Sequence, residues 1–241
     1  MPTHQKHRGQ HPQDAHLFGV RYQADLQTAV HDLSWLLSRG YAEKSSLKLV
    51  GDRFRLKERQ RKAIARAVCT DAQRIERQKK RLSIRDLKDK KVVIDGFNLL
   101  ISIEAALSGG IILACRDGCF RDIASIHGSY KSVMETPQAV ALVGQAMQDL
   151  QIQSAHWYLD SPVSNSGRLK TTLREFAETQ QLDWQIDLVF NPDKVLAESS
   201  EIVVSSDGWI LDECQRWFNL ARVLIEKYVR DVVILPTHQS I

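Results

Sequence analysis

The stretch Lys91-Val92-Val93-Ile94, closed by Asp95-Gly96, most constrains what this chain can fold into. Its apolar residues are continuous and do not alternate. A strand of that kind is buried on both faces, as in parallel sheets covered by helices. The residues that follow keep the same grammar. A helix is expected from Pro137 to Leu150, capped by Thr136, with Val140, Val143, Met147 and Leu150 in one stripe. Strand-like AHWYL (155–159), WQIDLVF (184–190), EIVVSS (201–206) and DVVILP (231–236) are separated by helices expected from Ser166 to Gln180 and from Leu211 to Tyr228. Strands alternating with helices predict an α/β fold over 91–241, a Rossmann-like, mainly parallel sheet.

The front of the chain reads differently. Residues 1–20, with His4, His7, His11 and His16, read as a polar, frayed tail. From Tyr22, Leu26, Val30, Leu33, Leu36 and Leu37 fall on one helical face, which should end near Arg39-Gly40. SSLKLVGDRFRL (45–56) reads as short and β-like. A second helix is expected over 57–81, with Ile64, Val68, Ala72 and Ile75 as its apolar stripe. Its other faces carry Arg59, Arg61, Lys62, Arg66, Arg74, Arg77, Lys79 and Lys80. The polar SIRDLKDKK (83–91) marks the boundary. The organisation expected is a tail (1–20), a smaller basic helical module (21–90) and the α/β domain (91–241).

Charge follows the same boundary. The formal net charge of +4 conceals 21 Lys+Arg against 10 Asp+Glu in residues 1–90, and 12 against 19 in residues 91–241. A basic front (+11) on an acidic back (−7) suggests an anionic partner. No apolar run approaches the ~18 residues of a membrane span, and Met1 to Gln13 does not read as a secretory signal. Cys69, Cys115, Cys119 and Cys214 make neither a disulfide framework nor a zinc site, since no second close pair follows CRDGC (115–119). They read as reduced thiols of a cytoplasmic protein. No phosphate-loop, dinucleotide or nucleophile-elbow motif occurs, so NTPase, nicotinamide-enzyme and α/β-hydrolase readings lack support.

In open α/β sheets ligands bind outside the carboxyl ends of the strands. Three predicted strands end in Asp: Asp95-Gly96-Phe97-Asn98, Asp160-Ser161-Pro162 and Ser205-Ser206-Asp207-Gly208. Each Asp also suits a turn or helix cap. If they converge, mutual repulsion raises a carboxyl pKa unless a cation joins them. A hard divalent ion with carboxylate and water ligands would remove that cost.

VVIDGFNLL (92–100) and SSDG (205–208) resemble the two acidic signatures of the PIN-like nuclease superfamily, including its NYN branch. The order of elements over about 91–236 is similar. That resemblance implies a Mg2+- or Mn2+-dependent ribonuclease acting on RNA or other single-stranded nucleic acid. Asp95, Asp160 and Asp207 would be its catalytic, metal-facing residues, and Asn98 and Ser206 would orient them. Trp209 departs from the pattern, which in many relatives has an acid there; Asp212 is the next acid. The long segment 101–135 offers Asp117 or Asp122 as a further carboxylate, Arg116 and Lys131 as phosphate contacts, and His127 as an acid or base. After Asp160, Asn165 or Ser166 should cap a helix carrying Arg168, Lys170 and Arg174 toward the same edge. His156 reads as structural. The front module and segment 101–135 also resemble an uncharacterised prokaryotic family that pairs a basic helical domain with a PIN-like one.

Two alternatives stand beside this expectation. One is a nucleic-acid-binding protein that has lost catalysis. The other is a different phosphoryl-transfer or phosphatase-like enzyme. The oligomeric state stays open, a homodimer included.

Overall fold

A computed structural model describes residues 7–124 and 130–237. The chain opens with the short α1 (Asp14–Leu17), then α2 (Val20–Ser38), α3 (Glu43–Arg53), α4 (Glu58–Ala67) and α5 (Asp71–Lys80). β1 (Lys91–Asp95) and α6 (Gly96–Leu107) follow, then β2 (Ile111–Ala114), β3 (Phe120–Asp122), α7 (Thr136–Asp149), β4 (Ser154–Asp160) and α8 (Ser166–Thr179). The rest is β5 (Trp184–Val189), α9 (Pro192–Ala197), β6 (Ile202–Val204), α10 (Gly208–Glu213), β7 (Trp217–Phe218), α11 (Leu220–Tyr228) and β8 (Val233–Pro236).

The main sheet has five strands in the order β5-β4-β1-β6-β7, all parallel. The fold is therefore α/β with a mainly parallel sheet behind a helical region of about 80 residues, as the strand and helix pattern predicts. Val92, Ile94, Trp157 and Val204 bury into a core with α6, α7, α8 and α11. Val93 and Val203 point the other way, onto Leu196 of α9 and Ile210 and Leu211 of α10. Both faces of β1 are thus covered, which is why its apolar run is unbroken. The chain order reverses at β1, with β4 on one side and β6 on the other. That is the topological switch point, where a crevice opens at the carboxyl ends.

β8 does not join this sheet. It pairs parallel with β2, which pairs antiparallel with β3, in a second, three-stranded sheet. The helical module packs on that sheet: Leu26, Val30, Leu33 and Ile64 share one core with Ile111, Leu113 and Leu235. α5 also closes the far edge of the main sheet. Trp217 Nε1 donates to the Arg77 carbonyl at 2.7 Å, and the Leu82 N–H donates to the Trp217 carbonyl at 2.8 Å.

Four local expectations are corrected. SSLKLVGDRFRL is mostly helix α3, because Ser46 and Val50 bury four apart on one face. The helix expected over 57–81 is two: Val68 turns extended, and Thr70 opens α5 with a capping box to Gln73. On α5 the buried side chain is Arg77, while Ile75 is half exposed. The helix expected over 211–228 is interrupted by β7. The described part of the tail is anchored, not frayed. Arg8 pairs with the fully buried Glu104, Asp14 pairs with Arg59, and Leu17 and Phe18 are buried. His4 and His127 lie outside the described residues.

Candidate active site

A pocket of about 420 Å³ opens at the carboxyl ends of β1, β4 and β6. Asp95, Asp122, Asp160, Asp193 and Asp207 line it, with Asn98, Phe97, Pro192 and Arg66. Asp95, the last residue of β1, is buried, and Gly96 begins α6 at once. A Cβ at Gly96 would sit 2.5 Å from the Leu159 side chain and 3.2 Å from the Tyr158 carbonyl, so only glycine lets the helix start this close to β4.

A lattice of hydrogen bonds joins the β1 and β6 ends. Ser205 Oγ donates to Asp95 Oδ2 at 2.8 Å and accepts from the Asp207 N–H at 3.0 Å. Asn98 Oδ1 accepts from both the N–H and the hydroxyl of Ser206. Two acids also serve as helix caps. Asp95 accepts from the Asn98 N–H at 3.4 Å, and Asp207 Oδ1 accepts from the N–H groups of Trp209 and Ile210. Asp160 caps nothing, and its buried Oδ1 has no hydrogen-bond partner. Asp122 keeps an unpartnered Oδ1 as well, while its Oδ2 accepts from Ser102 Oγ at 3.0 Å.

The carboxylates interact. Burial pushes Asp95 up to about 7, and the charges of Asp193 and Asp207 push the same way against the Ser205 hydrogen bond. Asp193 is raised by burial and by Asp207 and Asp160, and Asp160 by burial alone. Asp193 is thus a member of the cluster that inspection of strand ends missed. It lies four residues beyond β5, in Asn191-Pro192-Asp193, where Asn191 caps α9 through the Lys194 N–H. That Asn-Pro helix start was the available signal.

Other expected residues lie elsewhere. Asp117 and Asp212 do not reach the pocket, because they form a buried ion network with Arg77 and Arg121. Arg77 Nη1 and Arg121 Nη2 each stand 2.6 Å from Asp117 Oδ2, and Arg77 Nε stands 2.7 Å from Asp212 Oδ1. Arg121 Nε also donates to the Ser206 carbonyl at 2.6 Å, which supports the loop holding Asp207. Burial alone would raise Asp117, but Arg121 and Arg77 hold it at about 2.

Arg77 therefore belongs to the interior and not to a basic outer face. Arg59, Arg61, Lys62, Lys79 and Arg116 pair with Asp14, Asp52, Glu58, Glu76 and Asp71, and Lys80 donates to the Asp212 carbonyl. Arg74 lines a separate surface pocket with Lys79 and Arg116. Arg168, Arg174 and Lys131 are exposed, and Lys170 stands 3.6 Å from Asp187. Asn165 opens α8 at φ 70° without a side-chain cap; its Nδ2 donates to the Tyr130 carbonyl. His156 is held between Asp187 and the Tyr158 hydroxyl. The four thiols are free and buried.

Residues 84–223 match the family described as domain of unknown function DUF5616. The chain belongs to the DUF5616 family. Residues 25–80 match a second description, the protein of unknown function DUF434. An uncharacterised protein of Methanocaldococcus jannaschii is 31% identical over 186 residues, covering 77% of this chain and 88% of that protein. No solved structure matches. Among the described residues, no helix is long and apolar enough to cross a membrane.

The donor set of this DUF5616 pocket fits a hard divalent cation. It offers carboxylate oxygens, two of them buried and unpartnered, around a carboxyl whose charge is unfavourable without a counterion. Among the described residues, no three His, Cys, Asp or Glu are already grouped to hold an ion.

Proposed function

We propose that this protein is a Mg2+- or Mn2+-dependent nuclease that hydrolyses phosphodiesters of RNA or other single-stranded nucleic acid. The observation that carries the reading is the meeting of Asp95, Asp160, Asp193 and Asp207 in one pocket at the switch point of a parallel sheet. The PIN-like resemblance of VVIDGFNLL and SSDG points the same way. Asp95, Asp160, Asp193 and Asp207 would hold the ion, which when bound supplies an acidified water and offsets charge on the phosphate.

The chain's own groups do the rest. Ser205 fixes the Asp95 carboxylate, and the α10 amides fix Asp207, so neither has to reorganise when charge develops. Asp160, which caps no helix and accepts no hydrogen bond at Oδ1, would take a proton from the attacking water. Cleavage of mixed RNA and single-stranded DNA in Mn2+ tests the reading. Equal rates for the wild type and Asp95→Asn would overturn the catalytic assignment.

Trp209, half exposed two residues after Asp207, supports a second reading, a binding protein without catalysis. Salt-sensitive RNA binding with no cleavage in any divalent ion would favour it.

A further inference from the structure

We propose that Arg66, carried by α4 of the helical module, is the phosphate-binding residue of the carboxylate pocket and grips the backbone of the nucleic-acid strand. This inference rests on the nuclease reading of the pocket. Arg66 is the one cation among the described residues lining that pocket. It also lines an adjoining cavity of about 190 Å³, shared with Asn98 and Asp207 and walled by Arg77 and Arg121.

The three arginines differ in what remains of their donors. Those of Arg77 and Arg121 point at Asp117, Asp212 and backbone carbonyls. Arg66 makes one loose ion pair, to Asp122, and no side-chain hydrogen bond among the described residues. Its Nε is buried without a hydrogen-bond partner, and its closest carboxylate, Asp122, stands 3.8 Å away, beyond hydrogen-bond distance. A buried donor left unpaired is costly, and a ligand oxygen would remove that cost.

The backbone of the same residue is held. The Arg66 carbonyl accepts from Arg121 Nη1 at 3.3 Å and from Cys115 Sγ at 3.6 Å, and the adjacent Ala67 carbonyl accepts from the Arg116 N–H at 2.9 Å. A fixed base with a guanidinium that donates no hydrogen bond suits two oxygens of a phosphate, taken side by side. The location fits as well. A phosphate entering a pocket of carboxylates needs a cation at its rim, and Arg66 stands where the two cavities meet. The helical module would thus contribute to the site through one side chain and not through a broad basic face.

The test uses the full chain and a short fluorescein-labelled single-stranded RNA. Binding is read by anisotropy across a salt series, with Mn2+-dependent cleavage followed in parallel. Arg66→Ala should weaken binding about tenfold and make the logarithmic salt slope shallower by about 0.7, the value of one lost phosphate contact on a single strand. Arg66→Lys should restore the slope and part of the affinity. Lys44→Ala, an exposed charge on α3, should change neither. Arg66→Gln replaces the alanine variant if that one melts early. Wild-type affinity and slope in a folded Arg66→Ala or Arg66→Gln protein would overturn the proposal, even with cleavage intact. RNA bound through Arg66 but never cut by the wild type would support Arg66 and overturn the nuclease reading.

Discussion

Asn98 Oδ1 accepts from the Ser206 N–H at 3.1 Å and from the Ser206 hydroxyl at 2.5 Å, joining the start of α6 to the loop after β6. These residues lie 108 apart in sequence, and the tie sets the spacing of the two strand ends that carry Asp95 and Asp207. Asn98→Ala should cost about 1–2 kcal/mol in urea unfolding, because the N–H and hydroxyl of the buried Ser206 lose their acceptor. Ser206→Ala keeps the N–H bond and should cost less. In Mn2+-dependent cleavage the order of loss should be the same.

The raised pKa of Asp95 predicts a pH profile. A carboxyl held near 7 in the folded chain, against 3.8 ordinarily, binds its proton more tightly when folded. Its contribution to stability is complete below 3.8 and is lost as pH rises through about 7. Thermal melting should therefore show Asp95→Asn gaining on the wild type between pH 5 and pH 8. Mn2+ should raise the melting temperature of the wild type at pH 8, and that of Asp95→Asn much less. A parallel response of both proteins would contradict a cation at this carboxyl.

Asp117 should behave in the opposite sense. Its carboxylate, held at about 2 by Arg121 and Arg77, contributes stability that is present above pH 3.8 and lost as pH falls through 2. Asp117→Ala leaves two buried guanidinium groups short of a counter-charge and should cost roughly 3–5 kcal/mol at neutral pH. Denaturant titration reads this directly. A cost below about 1 kcal/mol would mean the network is open to water.

Asp207 is both a helix cap and a pocket acid, and two variants separate the roles. Asp207→Asn keeps a capping oxygen and should leave stability within about 0.5 kcal/mol, whereas Asp207→Ala should lose about 1 kcal/mol. Cleavage that follows charge should fall equally in both. Cleavage that survives in Asp207→Asn would reduce Asp207 to its capping role.

The strand ends were legible because burial and chemistry coincide there. A continuous apolar run announces a parallel strand, and the Asp that stops it sits at the pocket by topology alone. Asp193 was harder to see because α9 intervenes: the residue belongs to a helix start and not to a strand end. Asp117 and Asp212 looked equally available in sequence. Only the fold shows that Arg77, counted among surface charges of one long helix, turns inward to neutralise them. Periodicity misjudged α3 for a related reason. Gly51-Asp52 looks like a turn, yet Gly51 lies within the last turn of α3, where a Cβ would strike the Arg61 guanidinium at 2.2 Å. The break at Val68–Thr70 was written in the Thr70–Gln73 capping box, hidden among basic residues.

The shared core of the module and the second sheet bears on how this chain can be cut or recombined. The DUF434 and DUF5616 matches abut in sequence, at residues 80 and 84. In space no seam follows that junction, since Leu26 and Ile64 from the front close over Leu113 and Leu235 from the back. A chain severed near residue 82 would present two complementary greasy faces to water. The halves are therefore expected to aggregate when expressed apart and to rejoin when expressed together.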